Sequence, residues 1–156
     1  AVTLIEGIVD ARPGSNLAEA LSHRAEILRL SQSTHDAVLF PRSPGDISRG
    51  LRAALATRMA RQYEVPKLAE HYEVLIQQSR EIDEQHDAAT DAQTAAIVAH
   101  SDLLTLRPRD ATRADIEKLQ ASGMGEPDIV RLAELAAFVS YQARVIKGLQ
   151  ALKGEK

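Results

Sequence analysis

The segment 126–152 constrains the fold more than any other stretch of this sequence. It opens with an acidic, proline-containing turn, and Lys147 within it and Lys153 directly after it lie near its other end, an arrangement that suits the dipole of a helix. Between these ends the apolar residues fall on two stripes at helical spacing. One stripe contains Ile129, Leu132, Ala133, Ala136, Val139, Ala143 and Ile146, and the other contains Leu135, Phe138, Val145, Leu149 and Leu152. A helix with two apolar sides packs on both, so we expect it to be central or to lie in a subunit interface.

The rest of the chain also carries helix signals and almost no strand signal. The motif FPRSPGD at 40–46 interrupts these signals, because two prolines and a glycine cannot continue a helix. We predict helices at about 16–39, 46–63, 66–80, 91–104 and 112–122, with a frayed end or loop at 80–89 and an extended arm at 1–15. Together with the last segment, this pattern predicts a single all-α domain over 1–156, built from about six helices.

Capping residues mark several of these boundaries. Thr90 with Gln93, and Thr112 with Asp115, have the spacing of a capping box at a helix start. Gly123 suits the left-handed position after a helix end. These signals support the fourth, fifth and sixth predicted helices.

Composition excludes several functional classes. Aromatic residues make up only 3% of the chain, so the core must come from Leu, Ile, Val and Ala. The net charge of -3 does not suggest binding to nucleic acid or to an anionic membrane. The absence of cysteine excludes disulfides, thiolate nucleophiles and cysteine-ligated zinc. No apolar run approaches the ~20 residues of a membrane helix, and the first residues lack a secretory signal. We therefore expect a cytoplasmic protein.

Two stretches of the sequence carry a family resemblance. The segment LLTLRPRDATRADIEKLQASGMGEPDIVRLAELAAFVSYQARVIKGLQAL, at 103–152, resembles the C-terminal part of the carboxymuconolactone decarboxylase and alkylhydroperoxidase D-like superfamily, closest to its peroxidase-related branch. The segment LRAALATRMARQYEVPKLAEHYEVL, at 51–75, resembles the core helix pair of that superfamily. The resemblance implies an alkylhydroperoxidase D-like orthogonal helical bundle. It also implies a homo-oligomer, from dimer to hexamer.

The chain departs from this family where thiol-dependent members keep their redox site. Those members have two cysteines three residues apart, a histidine four residues further on, and a glutamate about three turns upstream. Aligned through His71, the cysteine positions become Glu64 and Lys67, and the glutamate position becomes Arg52. Peroxide reduction in those relatives needs a thiolate to attack and a second thiol to resolve it. We conclude that this chain is not a thiol peroxidase.

His71, Glu64 and Lys67 are the candidate catalytic residues. On one continuous helix they would share a side, since they are spaced at relative positions 0, 3 and 7. A histidine titrates near neutral pH, a carboxylate orients it, and Lys67 would hold a small anionic organic substrate. Decarboxylase members of the superfamily also work without cysteines. The alternative is a solvated helix face whose ion pairs are worth only ~0.2–0.5 kcal/mol each.

Three further residues are candidates for substrate binding: Arg52, Tyr72 and Arg144. On the helix at 46–63, Arg52, Arg58 and Arg61 can each bind a carboxylate through two parallel hydrogen bonds, although solvent exposure or ion pairs with acidic residues are the simpler interpretation. A buried Arg144 would need a carboxylate partner and would help to shape a pocket. The carboxylates available for it are Asp102, Asp110 and Asp115. The expected pocket lies between the second, third and last predicted helices.

Other polar patterns give no specific signal. His100 and Asp102 are two residues apart and do not share a helix face, so they do not form a metal site, and we expect a hydrogen-bonded histidine near a helix end. His23, His35 and His86 show no ligand spacing either. Residues 113–135 have the order of a helix-turn-helix, but the second helix is acidic at its start and apolar on two faces, which argues against DNA binding. The sequence predicts neither a cofactor nor a metal.

Two functions follow from these observations. The first is a non-thiol small-molecule enzyme of the acid–base, decarboxylase type, or a ligand-binding protein, with His71 at its centre. The second is a non-catalytic oligomeric scaffold that has lost the peroxidase site. A closed polar pocket around a perturbed His71 would favour the first function, and a solvent-exposed His71 that no cavity reaches would favour the second.

Overall fold

A computed structural model describes residues 1–82 and 91–154 of the chain. Within these ranges the secondary structure is helical with no strand, which confirms an all-α protein, and it comprises eight α-helices where the sequence predicted about six. The α-helices are α1 (Leu4–Ile8), α2 (Asn16–Ser22), α3 (Ala25–Leu39), α4 (Arg49–Gln62), α5 (Pro66–Ile82), α6 (Asp91–Leu106), α7 (Arg113–Ala121) and α8 (Glu126–Lys153), with a 3-10 turn at Pro108–Asp110. No helix in this part of the chain combines the length and the apolar character needed to cross a bilayer.

Helix α8 is the centre of the fold, as its two apolar stripes predicted. It contacts α1, α3, α4, α6 and α7. Its buried apolar residues come from both stripes: Ile129, Leu132, Leu135, Ala136, Phe138, Val139, Ala143 and Ile146. The helix ends at Gly154, whose φ of 87° is the left-handed conformation that glycine adopts without strain.

Helices α4 and α5 form a closely packed pair that carries most of the predicted site residues. The chain reverses between them through Tyr63, Glu64 and Val65. Glu64 has a φ of 59°, so it lies in the left-handed region, and Pro66 then begins α5 as predicted. This short connection fixes the position of His71 relative to α4.

The predicted extended arm at 1–15 is wrong over residues 4–8. Helix α1 forms there because Thr3 and Glu6 make a capping box, in which the Thr3 backbone N–H donates to Glu6 Oε2 at 2.8 Å. Ile5, Ile8 and Val9 are then buried, and α1 contacts α8. Burial of these side chains on α8 stabilises a helix too short to form alone.

The single helix predicted at 16–39 is also wrong, because the chain breaks between α2 and α3. Ser22 Oγ donates to the Glu19 carbonyl at 2.6 Å, and the Arg24 N–H donates to the Leu21 carbonyl at 2.8 Å. Arg24 has a φ of -120° and a ψ of 21°, outside helical geometry. Neither proline nor glycine marks this break, and helical apolar spacing continues on both sides of it.

Other boundaries agree with the predictions to within a few residues. Asp115 caps α7 by accepting a hydrogen bond from the Thr112 N–H at 2.8 Å. Gly123 has a φ of 96°, as expected for a left-handed helix end. The frayed end or loop predicted at 80–89 falls mostly outside the described residues, of which 80–82 continue α5. Thr90 and His86 also lie outside them.

Candidate functional site

Helices α3 and α5 bring His35 and His71 into direct contact. The two Nε2 atoms are 2.9 Å apart, within the range of a hydrogen bond. The ring centroids are 5.0 Å apart, so the rings meet nearly end to end along this bond. The His35 side chain is 5% exposed, whereas His71 is half-buried on the outer side of the contact.

Asp36 extends this contact into a chain of three groups. Its Oδ1 lies 2.8 Å from His35 Nδ1, and its side chain is 62% exposed. An ionised carboxylate only accepts hydrogen bonds, so His35 Nδ1 carries a hydrogen when Asp36 is charged. Only one hydrogen can lie between the two Nε2 atoms, because two N–H groups pointing at each other would repel. The two imidazoles together can therefore carry at most one positive charge.

The electrostatics of His71 favour its neutral form. The pKa of His71 falls from 6.5 to about 4; burial is the largest cause, the nearby His35 adds to the shift, and Asp36 opposes it. Near neutral pH, His71 is therefore an uncharged imidazole. With Nε2–H donated to His35, its Nδ1 carries a free lone pair and can act as a base.

Aromatic side chains hold the histidine pair in place. The Tyr72 ring stacks on His35 with centroids 6.0 Å apart and an interplanar angle of 20°, and Phe138 meets His35 edge-on at 6.3 Å. Tyr72 is fully buried, and its hydroxyl donates to Gln142 Oε1. Burial raises the pKa of this hydroxyl, although the bond to Gln142 opposes that effect. Tyr72 therefore positions the imidazoles, and the predicted contact with substrate does not fit its burial.

The structure separates the predicted catalytic triad. Glu64 precedes α5 and lies exposed in the reversing turn, so the helical spacing that would place it beside His71 does not apply. Lys67 is exposed on α5, one helical turn before His71 and on the same side. Of Glu64 and Lys67, only Lys67 therefore shares a helix face with His71.

Arg52 has a structural role that excludes the predicted substrate contact. The residue is 3% exposed, and its guanidinium donates to three backbone carbonyls: Ile47 at 2.8 Å, Val38 at 3.0 Å and Pro44 at 2.8 Å. Burial lowers the pKa of Arg52, and the neighbouring Arg131 adds to this effect. Arg52 thus joins the loop at 40–48 to α4 and has no surface to offer a ligand.

The remaining predicted arginines are at the surface. Arg58 forms a two-pronged bond to Asp102, with Nε 2.6 Å from Oδ1, and Arg61 pairs with Glu73. These pairs confirm the simpler interpretation of surface ion pairs. Arg144 is exposed on α8, so it needs no buried carboxylate, and Asp102 is already bound to Arg58.

The sequence reasoning missed His35 because it tested histidines only for metal-ligand spacing. Another signal was present. Leu28, His35 and Leu39 are spaced by seven and four residues, which places all three on one face of α3, and all three are buried. A histidine on the apolar stripe of a helix needs a polar partner, and that reasoning would have selected His35. His71 as its partner follows only from the tertiary contact.

The contact between the two histidines lies between α3 and α5, whereas the expected pocket lay between the second, third and last predicted helices. Three other concave regions lie elsewhere: about 540 Å³ beside α4, α5 and α6, about 610 Å³ between α3 and α8, and about 310 Å³ between α6 and α7. Across residues 1–82 and 91–154, no group of three or more His, Cys, Asp or Glu side chains is placed to hold a metal. In comparisons with protein-family models, curated proteins and solved structures, nothing matches the chain.

Proposed function

We propose that this protein is an acid–base enzyme of the non-thiol type that acts on a small anionic organic molecule. The hydrogen bond of 2.9 Å between His35 and His71 carries this proposal, because it leaves one imidazole neutral and accessible beside a buried proton acceptor. The alkylhydroperoxidase D-like bundle and decarboxylase-type chemistry rest on the resemblance of 51–75 and 103–152 alone. The cytoplasmic location stays a prediction from the sequence.

The geometry supports a defined proton path. His71 Nδ1 takes a proton from the substrate, while His71 Nε2–H points at His35 Nε2. Transfer of the Nε2 proton to His35 leaves His71 neutral and makes His35 an imidazolium. The Asp36 carboxylate, 2.8 Å from His35 Nδ1, stabilises this charge. Since Asp36 is largely exposed, the path ends where protons exchange with water.

Lys67 supplies the charge that attracts an anionic substrate. It lies four residues before His71 on α5, about 6 Å along the helix axis. An ammonium group on a flexible stem attracts a carboxylate from several directions, so it suits a substrate that also contacts His71. Glu64 lies outside the helix and Arg52 is buried, so neither has a role in this mechanism.

The first experiment is a thermal-shift screen of small carboxylates on the parent protein, His71→Gln, Lys67→Gln and the control His23→Gln. His23 is exposed at the end of α2 and has no part in the proposed site. We expect a ligand that stabilises the parent and the control but not His71→Gln, with a weaker effect on Lys67→Gln. A screen in which no carboxylate distinguishes His71→Gln from the parent would show that the histidine has no role in binding.

The second experiment measures chemistry directly. In D₂O, NMR detects exchange for deuterium of the carbon-bound hydrogens next to the carboxylate of the bound ligand, a slow reaction that a proton-transfer site would accelerate. We expect exchange above the buffer rate with the parent, and its loss in His71→Gln. Binding without exchange would reject the enzyme and leave a ligand-binding protein.

Exposed apolar side chains between α3 and α8 favour a second candidate function, that of a non-catalytic oligomeric scaffold. The groove of about 610 Å³ between α3 and α8 is lined by Ile27, Leu30 and Tyr141, which are 50%, 50% and 41% exposed. Large exposed apolar side chains that cluster in one groove mark an interaction surface. As a scaffold, the chain would bury this face against a second copy of itself.

The charged residues of α8 support a second copy of this chain as the partner that covers the groove. Glu134 lines the groove, and Arg144 lies ten residues further along α8, about 15 Å along the helix axis and about 80° around it, exposed like Tyr141 between them. An antiparallel pairing of two α8 helices about an axis near residue 139 sets Glu134 of each copy against the partner's Arg144. Two-fold pairing uses one patch twice, so both pairs form together.

Light scattering at high micromolar protein concentration tests this candidate. We expect the parent to be a dimer or a larger oligomer, Glu134→Arg to dissociate, and the double variant Glu134→Arg/Arg144→Glu to associate again. A monomeric parent would reject the scaffold. Association that is insensitive to both variants would place the interface elsewhere.

A further inference from the structure

A small cavity between α6 and α7 shares no residue with the His35–His71 site. Its volume is about 310 Å³, equal to roughly ten water molecules in the liquid. Four apolar side chains and four polar ones line it: Ala96, Ala99, Leu103 and Leu119, with His100, Arg107, Asp115 and Lys118. A mostly apolar hollow with a few convergent polar groups is the usual form of a small-molecule site.

His100 is the buried polar group of this cavity. It is 8% exposed, and no described residue forms a hydrogen bond with either of its ring nitrogens. Its ring nitrogens are not among the enclosed side-chain atoms that lack a partner, so they are open to solvent in the cavity and can bond water or a ligand. Burial lowers the pKa of His100, although Asp115 opposes the shift. The neutral imidazole offers one donor and one acceptor.

The rim of the cavity carries positive charge. The side chains of Arg107 and Lys118 are 69% and 79% exposed. Their nearest carboxylates, on Asp110 and Asp115, lie at 3.9 Å and 3.8 Å, near the outer limit of an ion pair. Asp115 is itself committed to capping α7 through Thr112. Both cations can therefore turn towards an anion without breaking a strong bond.

We propose that this cavity binds a small organic carboxylate, with the carboxylate at Arg107 and Lys118, the hydrocarbon on Leu103 and Leu119, and a hydrogen bond from the floor at His100. The volume holds about ten non-hydrogen atoms. A neutral molecule of the same shape lacks the attraction of the rim.

Benzoate is a suitable probe, since it is within this size, and benzamide is its uncharged isostere. Titration followed by ¹H–¹⁵N NMR of the full chain is expected to shift signals of α6 and α7, with a Kd near the millimolar range and at least about tenfold weaker binding of benzamide. No shift with benzoate would overturn the proposal. Equal binding of the two compounds would also overturn it, because the charged rim would then have no role.

A pair of alanine variants locates the site. Ala99 lines the cavity but is exposed, so Ala99→Leu fills the cavity without disturbing the core, and alanine and leucine are both good helix formers. Ala95→Leu is the control, at an exposed position of the same helix outside the cavity. We expect Ala99→Leu to abolish benzoate binding, His100→Gln and Lys118→Gln to weaken it, and Ala95→Leu to leave it unchanged. Unchanged binding in Ala99→Leu would place benzoate elsewhere and reject the site.

Discussion

His35 and His100 show how two equally buried histidines acquire different properties. They are 4% and 8% exposed, and each lies on the inner face of a helix. His35 bonds at both ring nitrogens, to His71 and Asp36, and aromatic rings surround it. His100 lines a cavity and has no hydrogen-bond partner among the described residues. Burial alone therefore does not define a role. The partners make His35 part of a proton path and leave His100 open to a ligand.

The largest expected difference between the two histidines is in the stability that is lost when each is replaced by alanine. His35→Ala removes two hydrogen bonds and leaves a cavity among aromatic rings, so we expect the free energy of unfolding to fall by about 3 kcal/mol. His100→Ala enlarges an existing cavity and breaks no hydrogen bond, so its expected cost is about 1 kcal/mol. Urea denaturation measures both values. Equal costs would remove the distinction between the two sites.

The dependence of protein stability on pH tests the electrostatics of the His35–His71 site. The pKa of His71 is about 4 in the folded chain and near 6.5 when unfolded, so between these values the unfolded chain binds more protons. The contribution of His71 is complete above pH 6.5 and is lost as the pH falls towards 4, by on the order of 2 kcal/mol once solvent screening of a half-buried group is allowed for. We expect the difference in unfolding free energy between the parent and His71→Gln to shrink over this range.

That measurement has an internal control. His23→Gln replaces an exposed histidine and should follow the parent at every pH. A difference between the parent and His71→Gln that does not change with pH would mean that the imidazole titrates normally and that its contact with His35 does not favour the neutral form.

A smaller effect is expected at Tyr72. Tyr72→Phe keeps the ring stacked on His35 but leaves the buried Gln142 carbonyl without its donor, at a cost of about 1 kcal/mol. Tyr141→Phe is the matched control, because its hydroxyl bonds Ser31 at a residue that is 41% exposed and water can replace the bond. Denaturation of the two variants should differ, and equal costs would show that the Tyr72 hydroxyl does not support the histidine pair.

The smallest expected change in unfolding free energy is that of Lys118→Gln, a variant that distinguishes ligand binding from stability at the cavity of His100. Lys118 is largely exposed and only loosely paired, so Lys118→Gln should unfold within error of the parent. The same variant should bind benzoate more weakly, as the NMR titration measures. A loss of stability without a loss of binding would assign Lys118 to the fold and not to the rim.

Sequence reasoning predicted the fold better than the site. Helix α8 was predictable because its apolar residues keep helical spacing over almost its whole length, and α7 because its capping residues are local. The break between α2 and α3 was not predictable, because the chain leaves helical geometry there without a glycine or a proline. His71 was selected from the resemblance, whereas Glu64 failed because the turn before Pro66 puts it outside the helix.

Helical periodicity and capping depend on residues a few positions apart, so the order of amino acids is enough to predict an all-helical chain with a long C-terminal helix that packs on two sides. Which polar groups meet depends on how distant parts of the chain come together. His35 and His71 are 36 residues apart, and Arg52 reaches the Val38 carbonyl across a loop. Contacts of this kind depend on how helices pack, and packing is set by the shape of the whole core.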